Sequence, residues 1–281
     1  LQTGQVIEGK FLQDFEAKVA DQSLRKFSVG VGSATDGLYF AMKSLGLTKD
    51  SVIACPVLTY IATGGAIKRL GARIEYIDVD QYGSIGDLKN TPKVDAVVYV
   101  NLYGNPADYD RLRKFCDDRR IPLIEDGAQS QGAVYKDIPS GKMGDISVLS
   151  FAPSKNLPCF GTGGLVLTDS VDVYNKVKAL RKHGKGTKEY GYNSFLSDDH
   201  ANQLLLLLDK FPKLQKMRQK IYKRYQKQLE DIQFILKQDN NIKPSYHKCV
   251  IMSNQRTELK SYLDSYGIET AIHYPYLLDK P

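Results

Sequence analysis

Ile121–Gly164 reads IPLIEDGAQSQGAVYKDIPSGKMGDISVLSFAPSKNLPCFGTGG, and the rest of the chain is organised around it. Two apolar runs within it, Pro122–Ile124 and Ile146–Phe151, have the length and composition of buried strands. The first ends in the acidic pair Glu125-Asp126. The second leads into Pro153-Ser154-Lys155-Asn156, then a glycine-rich turn and a third apolar run, Leu165–Leu167. In an open α/β sheet, ligands bind at the carboxyl ends of the strands. A carboxylate at one strand end and a lysine just past another can therefore face the same ligand.

A carboxylate can hold a protonated pyridine nitrogen, and a lysine amine can condense with an aldehyde. Together they form the apparatus of a pyridoxal phosphate (PLP) enzyme, in which the protein orients the cofactor and tunes its electronics. In that reading Asp126 keeps the ring nitrogen protonated, while Lys155 carries the cofactor and then shuttles protons. Taken singly, a strand-end Asp usually caps a helix and a lysine is usually solvated. Spacing alone leaves the two readings evenly matched.

The motifs EDGAQSQG at 125–132, SFAPSKNL at 150–157 and GTGGLVLT at 161–168 resemble the nucleotide-sugar aminotransferases of the DegT/StrS group, which are fold-type-I PLP enzymes. The resemblance runs from about Gly9 to Pro275 with the motifs in the family's order. It implies an α/β fold with a mostly parallel central sheet and a smaller C-terminal α+β domain. The expected division is residues 1–205 for PLP binding and 206–281 for the small domain. Relatives usually extend some way beyond Y-P-Y-L-L-D-K-P, and the chain opens at Leu1 rather than Met, so trimming at both ends is expected.

Upstream, apolar and amphipathic stretches alternate. Phe27–Val31, Ser51–Ala54, Arg73–Val79 and Val94–Val100 read as strands. Helices are expected from the pattern Leu38, Ala41, Met42, Leu45, then over Thr59–Leu70 and Asp108–Arg120. Such alternation predicts a mostly parallel sheet covered on both faces. The first helix opens with Gly32-Ser33-Ala34-Thr35, and a helix start of small residues leaves N–H groups open to an anion. Ordinary capping by Ser33 or Thr35 is the competing reading. The resemblance implies that the cofactor phosphate sits at Ala34 and Thr35, with Ser150 contacting it, Tyr60 stacking on the ring and Gln129 bonded to its phenolic oxygen. Asn101 is assigned no role.

Downstream, a helix is expected over Val171–Lys182, then a polar loop, then a helical tract from Asp198 to about Ile232. In the loop, Gly191-Tyr192-Asn193 matches a segment that crosses a homodimer interface in relatives, which implies that Asn193 contacts the partner's cofactor phosphate. Tyr190 is a candidate sugar contact. Relatives usually carry Arg where this chain has Phe195. Leu204–Leu208 suits core or dimer contact. After the polar stretch 237–241, Lys248–Met252, a helix around Glu258–Tyr266 and Glu269–His273 are expected to form the small α+β unit. His273-Tyr274-Pro275 resembles the family's sugar-proximal motif, which makes His273 and Tyr274 candidate substrate contacts.

Composition narrows the field. The chain has 281 residues, 42% hydrophobic and 25% charged, as in ordinary globular proteins. No apolar run reaches membrane-spanning length and no signal-peptide pattern opens the chain. Cys55, Cys116, Cys159 and Cys249 are scattered without a C-x-x-C pair, which argues against a zinc ribbon or disulfide framework and suits a reducing cytoplasm. The net charge of +7 lacks a clustered basic run with interleaved aromatics, so nucleic acid is not an expected partner and no metal site is expected. The resemblance implies amino transfer from a donor, L-glutamate, to a nucleotide-diphosphate keto sugar. Three rivals stand beside it. A sugar dehydratase on the same scaffold carries His in place of the lysine. A desulfurase would need a mobile nucleophilic cysteine such as Cys159. A non-catalytic regulator should have lost Lys155 or Asp126.

Overall fold

Runs of four or five apolar residues, too short for helices and too apolar for a surface, become the strands of one sheet. The computed structural model describes residues 4–237 and 240–280. Its strands are β1 (Phe27–Val31), β2 (Val52–Pro56), β3 (Arg73–Ile77), β4 (Ala96–Val100), β5 (Leu123–Asp126), β6 (Val134–Tyr135), β7 (Ile138–Pro139), β8 (Ile146–Ser150), β9 (Gly164–Thr168) and β10 (Ile242–Lys243). Seven of them pair in the order β1-β9-β8-β5-β4-β2-β3. Only β9 runs antiparallel to its neighbours in this sheet. β4, β5, β8 and β9 are buried along their whole length, as strands covered on both faces must be.

Period-two alternation divides the core. Val29, Val98, Ile124, Val148 and Val166 face one layer, with Leu38, Ala41 and Met42 of helix α2 (Ala34–Ser44) and Ile67 of α3 (Ile61–Leu70). Leu149, Leu165 and Leu167 face the other, against Leu12 and Phe15 of α1 (Lys10–Gln22). Val97, Tyr99 and Leu123 meet Leu112 and Cys116 of α4 (Tyr109–Arg119). Val177 and Leu180 of α5 (Val171–Leu180) close the first layer.

The C-terminal third departs from expectation in two places. The helical tract from Asp198 is two helices, α6 (Asp198–Leu208) and α7 (Phe211–Gln228). Pro212 stands in the first turn of α7, where its missing N–H costs nothing, but it could not have continued α6. The expected strands at 248–252 and 269–273 are absent: a single bridge joins Phe234 to Ile251, and no strand forms at the second run. A strand needs a continuous partner. β10 finds one by joining β6 and β7 in a three-stranded sheet, stitching the C-terminal segment to the large unit. α8 (Arg256–Ser265) buries no side chain fully. Gln238 and Asp239 of the polar stretch lie outside the described residues. No described helix is long and apolar enough to cross a membrane.

Candidate active site

The adjacent acids Glu125 and Asp126 face opposite sides of the sheet end and do different work. Glu125 is fully buried and accepts from Asn101 Nδ2, the hydroxyls of Ser140 and Ser147, and the N–H groups of Gly141 and Met143. It ties the β5 end to the loop before β8. Asn101, whose Oδ1 also accepts from Ala107 N, belongs to this frame.

Asp126 is almost as buried, yet no described cation contacts it. Thr63 Oγ1 donates to Oδ2 at 2.8 Å and Ala128 N to Oδ1 at 3.1 Å. Burial raises its pKa, opposed by these two hydrogen bonds and by the charge of Lys155. Lys155 sits half-buried in the turn after β8, with its N–H on Ala152 O. Burial lowers the pKa of its amine, Asp126 raises it, and Lys248 lowers it. A lysine so placed has more of its amine free for attack on a carbonyl carbon. A buried carboxylate without a cation and a softened amine just past the next strand are what a protonated pyridine ring bearing an aldehyde would complete.

The α2 N-terminus supplies an anion seat. Ser33 caps the helix by accepting from Asp36 N at 3.1 Å, and the first helical bond runs from Gly37 N to Ser33 O. The N–H groups of Ala34 and Thr35 precede that bond and point out of the helix. Both readings of this turn therefore hold, capping by Ser33 and open donors beyond it. A Cβ on Gly164 would stand 2.6 Å from Ala34 N, so only glycine lets β9 run this close. Ser150 lies opposite Gly164 in register, which sets its hydroxyl beside the same helix end.

Tyr60 caps α3 and is half-exposed, its ring 5.9 Å from that of Tyr274. Gln129 Nε2 donates to the Tyr274 hydroxyl at 3.0 Å, while its Oε1 accepts from Tyr103 N at 2.9 Å. One amide hydrogen of Gln129 remains to offer a ligand. Burial pushes the Tyr274 hydroxyl up to about 12, so it stays protonated. His273 is held through its carbonyl, which accepts from Tyr103 OH at 2.5 Å. The H-Y-P segment thus lies against Tyr60, Tyr103 and Gln129.

Two expected residues are not gathered here within one chain. Tyr190 is 90% exposed and its carbonyl accepts from Lys43, near the far end of α2, about 13 to 14 Å along the helix from Ala34. Asn193 is exposed, but its neighbour Ser194 accepts from Gly32 N and donates to Asp36 Oδ2, at the N-terminal end of α2. The ring of Phe195 packs under the Arg181 guanidinium at 5.4 Å. Sequence reading also missed contributors. Thr63, one helical turn after Thr59, was within reach of spacing arguments. Tyr103, with φ +59, and the Asn156–His247 pair were not, because each works through partners far along the chain.

A mostly parallel sheet with a buried carboxylate at one strand end and a half-buried lysine just past the next has the architecture of a fold-type-I PLP-dependent enzyme. Residues 1–280 match the DegT/DnrJ/EryC1/StrS aminotransferase family, and the chain belongs to it; PLP is its cofactor. It is 32% identical to a UDP-2-acetamido-2-deoxy-3-oxo-D-glucuronate aminotransferase of Pseudomonas aeruginosa, over 100% of this chain and 81% of that one. It is 30% identical to a protein of Geobacillus stearothermophilus named a pleiotropic regulatory protein, over 98% of this chain and 77% of the other. Among solved structures, the Streptomyces venezuelae enzyme DesV in complex with a ketimine intermediate matches with a TM-score of 0.94 at 31% identity, covering 99% of this chain and 78% of that one.

Proposed function

We propose that the chain transfers an amino group from L-glutamate to a keto-deoxysugar carried on a nucleoside diphosphate, as a homodimer with shared sites. The juxtaposition of cation-free, buried Asp126 with softened Lys155 carries this reading. Bound PLP supplies an electron sink for the charge that develops at the reacting carbon. Asp126 holds the ring nitrogen protonated, oriented by Thr63 and Ala128 N–H. Tyr60 covers one ring face, and the free amide hydrogen of Gln129 meets the phenolic oxygen. The N–H groups of Ala34 and Thr35, with the Ser150 hydroxyl, hold the phosphate. Once the donor displaces it, the Lys155 amine takes the proton from the donor's α-carbon and later returns one to the sugar carbon. His273 and Tyr274 face the sugar. Cys159 is buried and its thiol is pushed up in pKa, which removes the thiolate a desulfurase requires. A regulator has no use for a cation-free buried carboxylate, whatever the Geobacillus relative is named. The smaller unit begins with α7, because α6 packs Leu204 and Leu208 into the large unit and the 205/206 division would fall inside it. Four free cysteines, three of them buried, support a reducing, cytoplasmic setting for the enzyme.

The shared site has a direct test. Asn193 lies exposed at the phosphate end of α2 and Tyr190 points away from its own site, so both suit contact with a partner. Mixing Asn193→Asp with Lys155→Ala chains should restore activity, since one site of each mixed dimer then carries both lesions and the other none. Persistent inactivity, with subunit exchange demonstrated, would show that Asn193 serves its own chain. The sugar side is tested separately. His273→Ala should raise the sugar KM roughly tenfold, as for one lost substrate hydrogen bond, and leave the glutamate half-reaction near wild type. Equal damage to both halves would assign His273 to folding instead.

A further inference from the structure

The segment Pro244–Lys248 comes from the C-terminal part of the chain and threads past the lysine turn. Ser245 N donates to Gly104 O at 2.8 Å, and its hydroxyl donates to Gln129 O at 3.1 Å. Lys248 N reaches Tyr103 O at 3.4 Å. Gly104 has φ +87, and a Cβ there would meet Ser245 Oγ at 2.1 Å, so glycine alone lets the two segments touch.

Asn156, the residue after Lys155, uses this segment as its anchor. Its side chain is buried, with Nδ2 donating to Ser245 O at 3.1 Å and Gln131 O at 3.3 Å. Asn156 Oδ1 lies 2.9 Å from His247 Nδ1. An amide oxygen only accepts, so Nδ1 of His247 carries the hydrogen. His247 is itself 5% exposed. Burial first, then the charges of Lys155, Lys248, Arg218 and His273, push its pKa down to about 3. The ring is therefore neutral wherever the enzyme works and cannot serve as an acid. What remains for it is the bond to Asn156.

We propose that His247 is a positioning residue for Lys155: by holding Asn156 it fixes the turn from which the reactive amine leaves the chain. The inference rests on the reading of Lys155 as the cofactor-bearing lysine. A lysine has a long, rotatable stem, so the direction of its amine is set by the backbone that launches it. Misplacement of a reacting group by about 1 Å costs on the order of a hundredfold in rate. Losing one hydrogen bond behind the turn, with a buried amide oxygen left unpaired, should cost about tenfold.

The test is the rate at which methoxyamine bleaches the visible band of the PLP-loaded chain, which reads how firmly Lys155 keeps the cofactor without any turnover. His247→Asn places an amide N–H close to the Nδ1 position, whereas His247→Gln carries it one bond farther and His247→Leu removes it. The Asn variant should bleach within about twofold of wild type, and the Gln and Leu variants about tenfold faster. Equal rates for Asn and Gln overturn the proposal, as does a Leu variant at the wild-type rate. If the Leu chain does not fold, the Asn–Gln comparison decides alone. Borohydride fixation of the wild type, read by peptide mass, separates the two layers of the argument. Label away from Lys155 overturns both the lysine assignment and the proposal; label on Lys155 with equal Asn and Gln rates overturns the positioning role alone.

Discussion

Lys155→Ala should leave a folded chain that binds PLP without a covalent link and turns over about 10⁴-fold more slowly, the upper range for loss of a positioned proton-transfer group. Three readouts should move together: the visible band of the loaded protein disappears, borohydride no longer fixes cofactor to the chain, and both half-reactions stall. Stability of the cofactor-free chain should not fall. Lys155 makes no ion pair among the described residues, and its amine is held half-buried near the like charge of Lys248. Burial and the Lys248 charge together outweigh the attraction of Asp126, so removing the amine relieves a net cost while deleting only a flexible stem. Persistent covalent labelling in the variant would move the cofactor link to another lysine.

The positions of Asp126 and Lys155 were legible because one ends a strand and the other follows a strand end by a short turn, and strand ends are where a parallel sheet offers its side chains to ligands. β5 and β8 show as apolar runs, so Asp126 and the turn bearing Lys155 could be placed from local pattern. The α2 N-terminus was equally plain, since small residues before an amphipathic helix announce an open turn. The same local logic failed where long-range pairing decides. The run at 248–252 has the composition of a strand, but its pairing with 233–235 amounts to one isolated bridge, so it stays irregular. Its neighbour His247 has no partner in the local sequence; only the fold sets it against Asn156, 91 residues away. Pro212 carries a helix-restart signal that the single helical tract expected from Asp198 to about Ile232 did not take into account. Tyr190 and Asn193 raise a different problem, because the partner contact proposed for them would leave no signature in their own chain's geometry.

Asp126→Asn should separate function from stability in opposite directions. The substitution keeps shape: the new amide oxygen can accept from Ala128 N, and the Thr63 hydroxyl can rotate to accept from the new amide N–H. The negative charge opposite the ring nitrogen is lost, so the ring loses its protonated state and the glutamate half-reaction should slow by about 10²–10³, the scale of one lost preorganised electrostatic contact. PLP should still bind, more weakly. The cofactor-free chain should behave the other way. Burial raises the pKa of Asp126 above its unfolded value, so the folded state holds its proton more tightly than the unfolded state. For a group raised in this way, the stabilising contribution is full below the unfolded carboxylate range and is lost as pH rises through the folded pKa. Above that range, wild-type apoprotein keeps a charge buried without a cation, and the Asp126→Asn chain does not. Thermal melts across pH should therefore show the variant equal to or above wild type in the neutral range, with the advantage shrinking under acid, while PLP closes the gap by supplying the missing cation. An apo variant that melts well below wild type at neutral pH, or one with an undiminished half-reaction, would show that Asp126 serves the sheet rather than the ring.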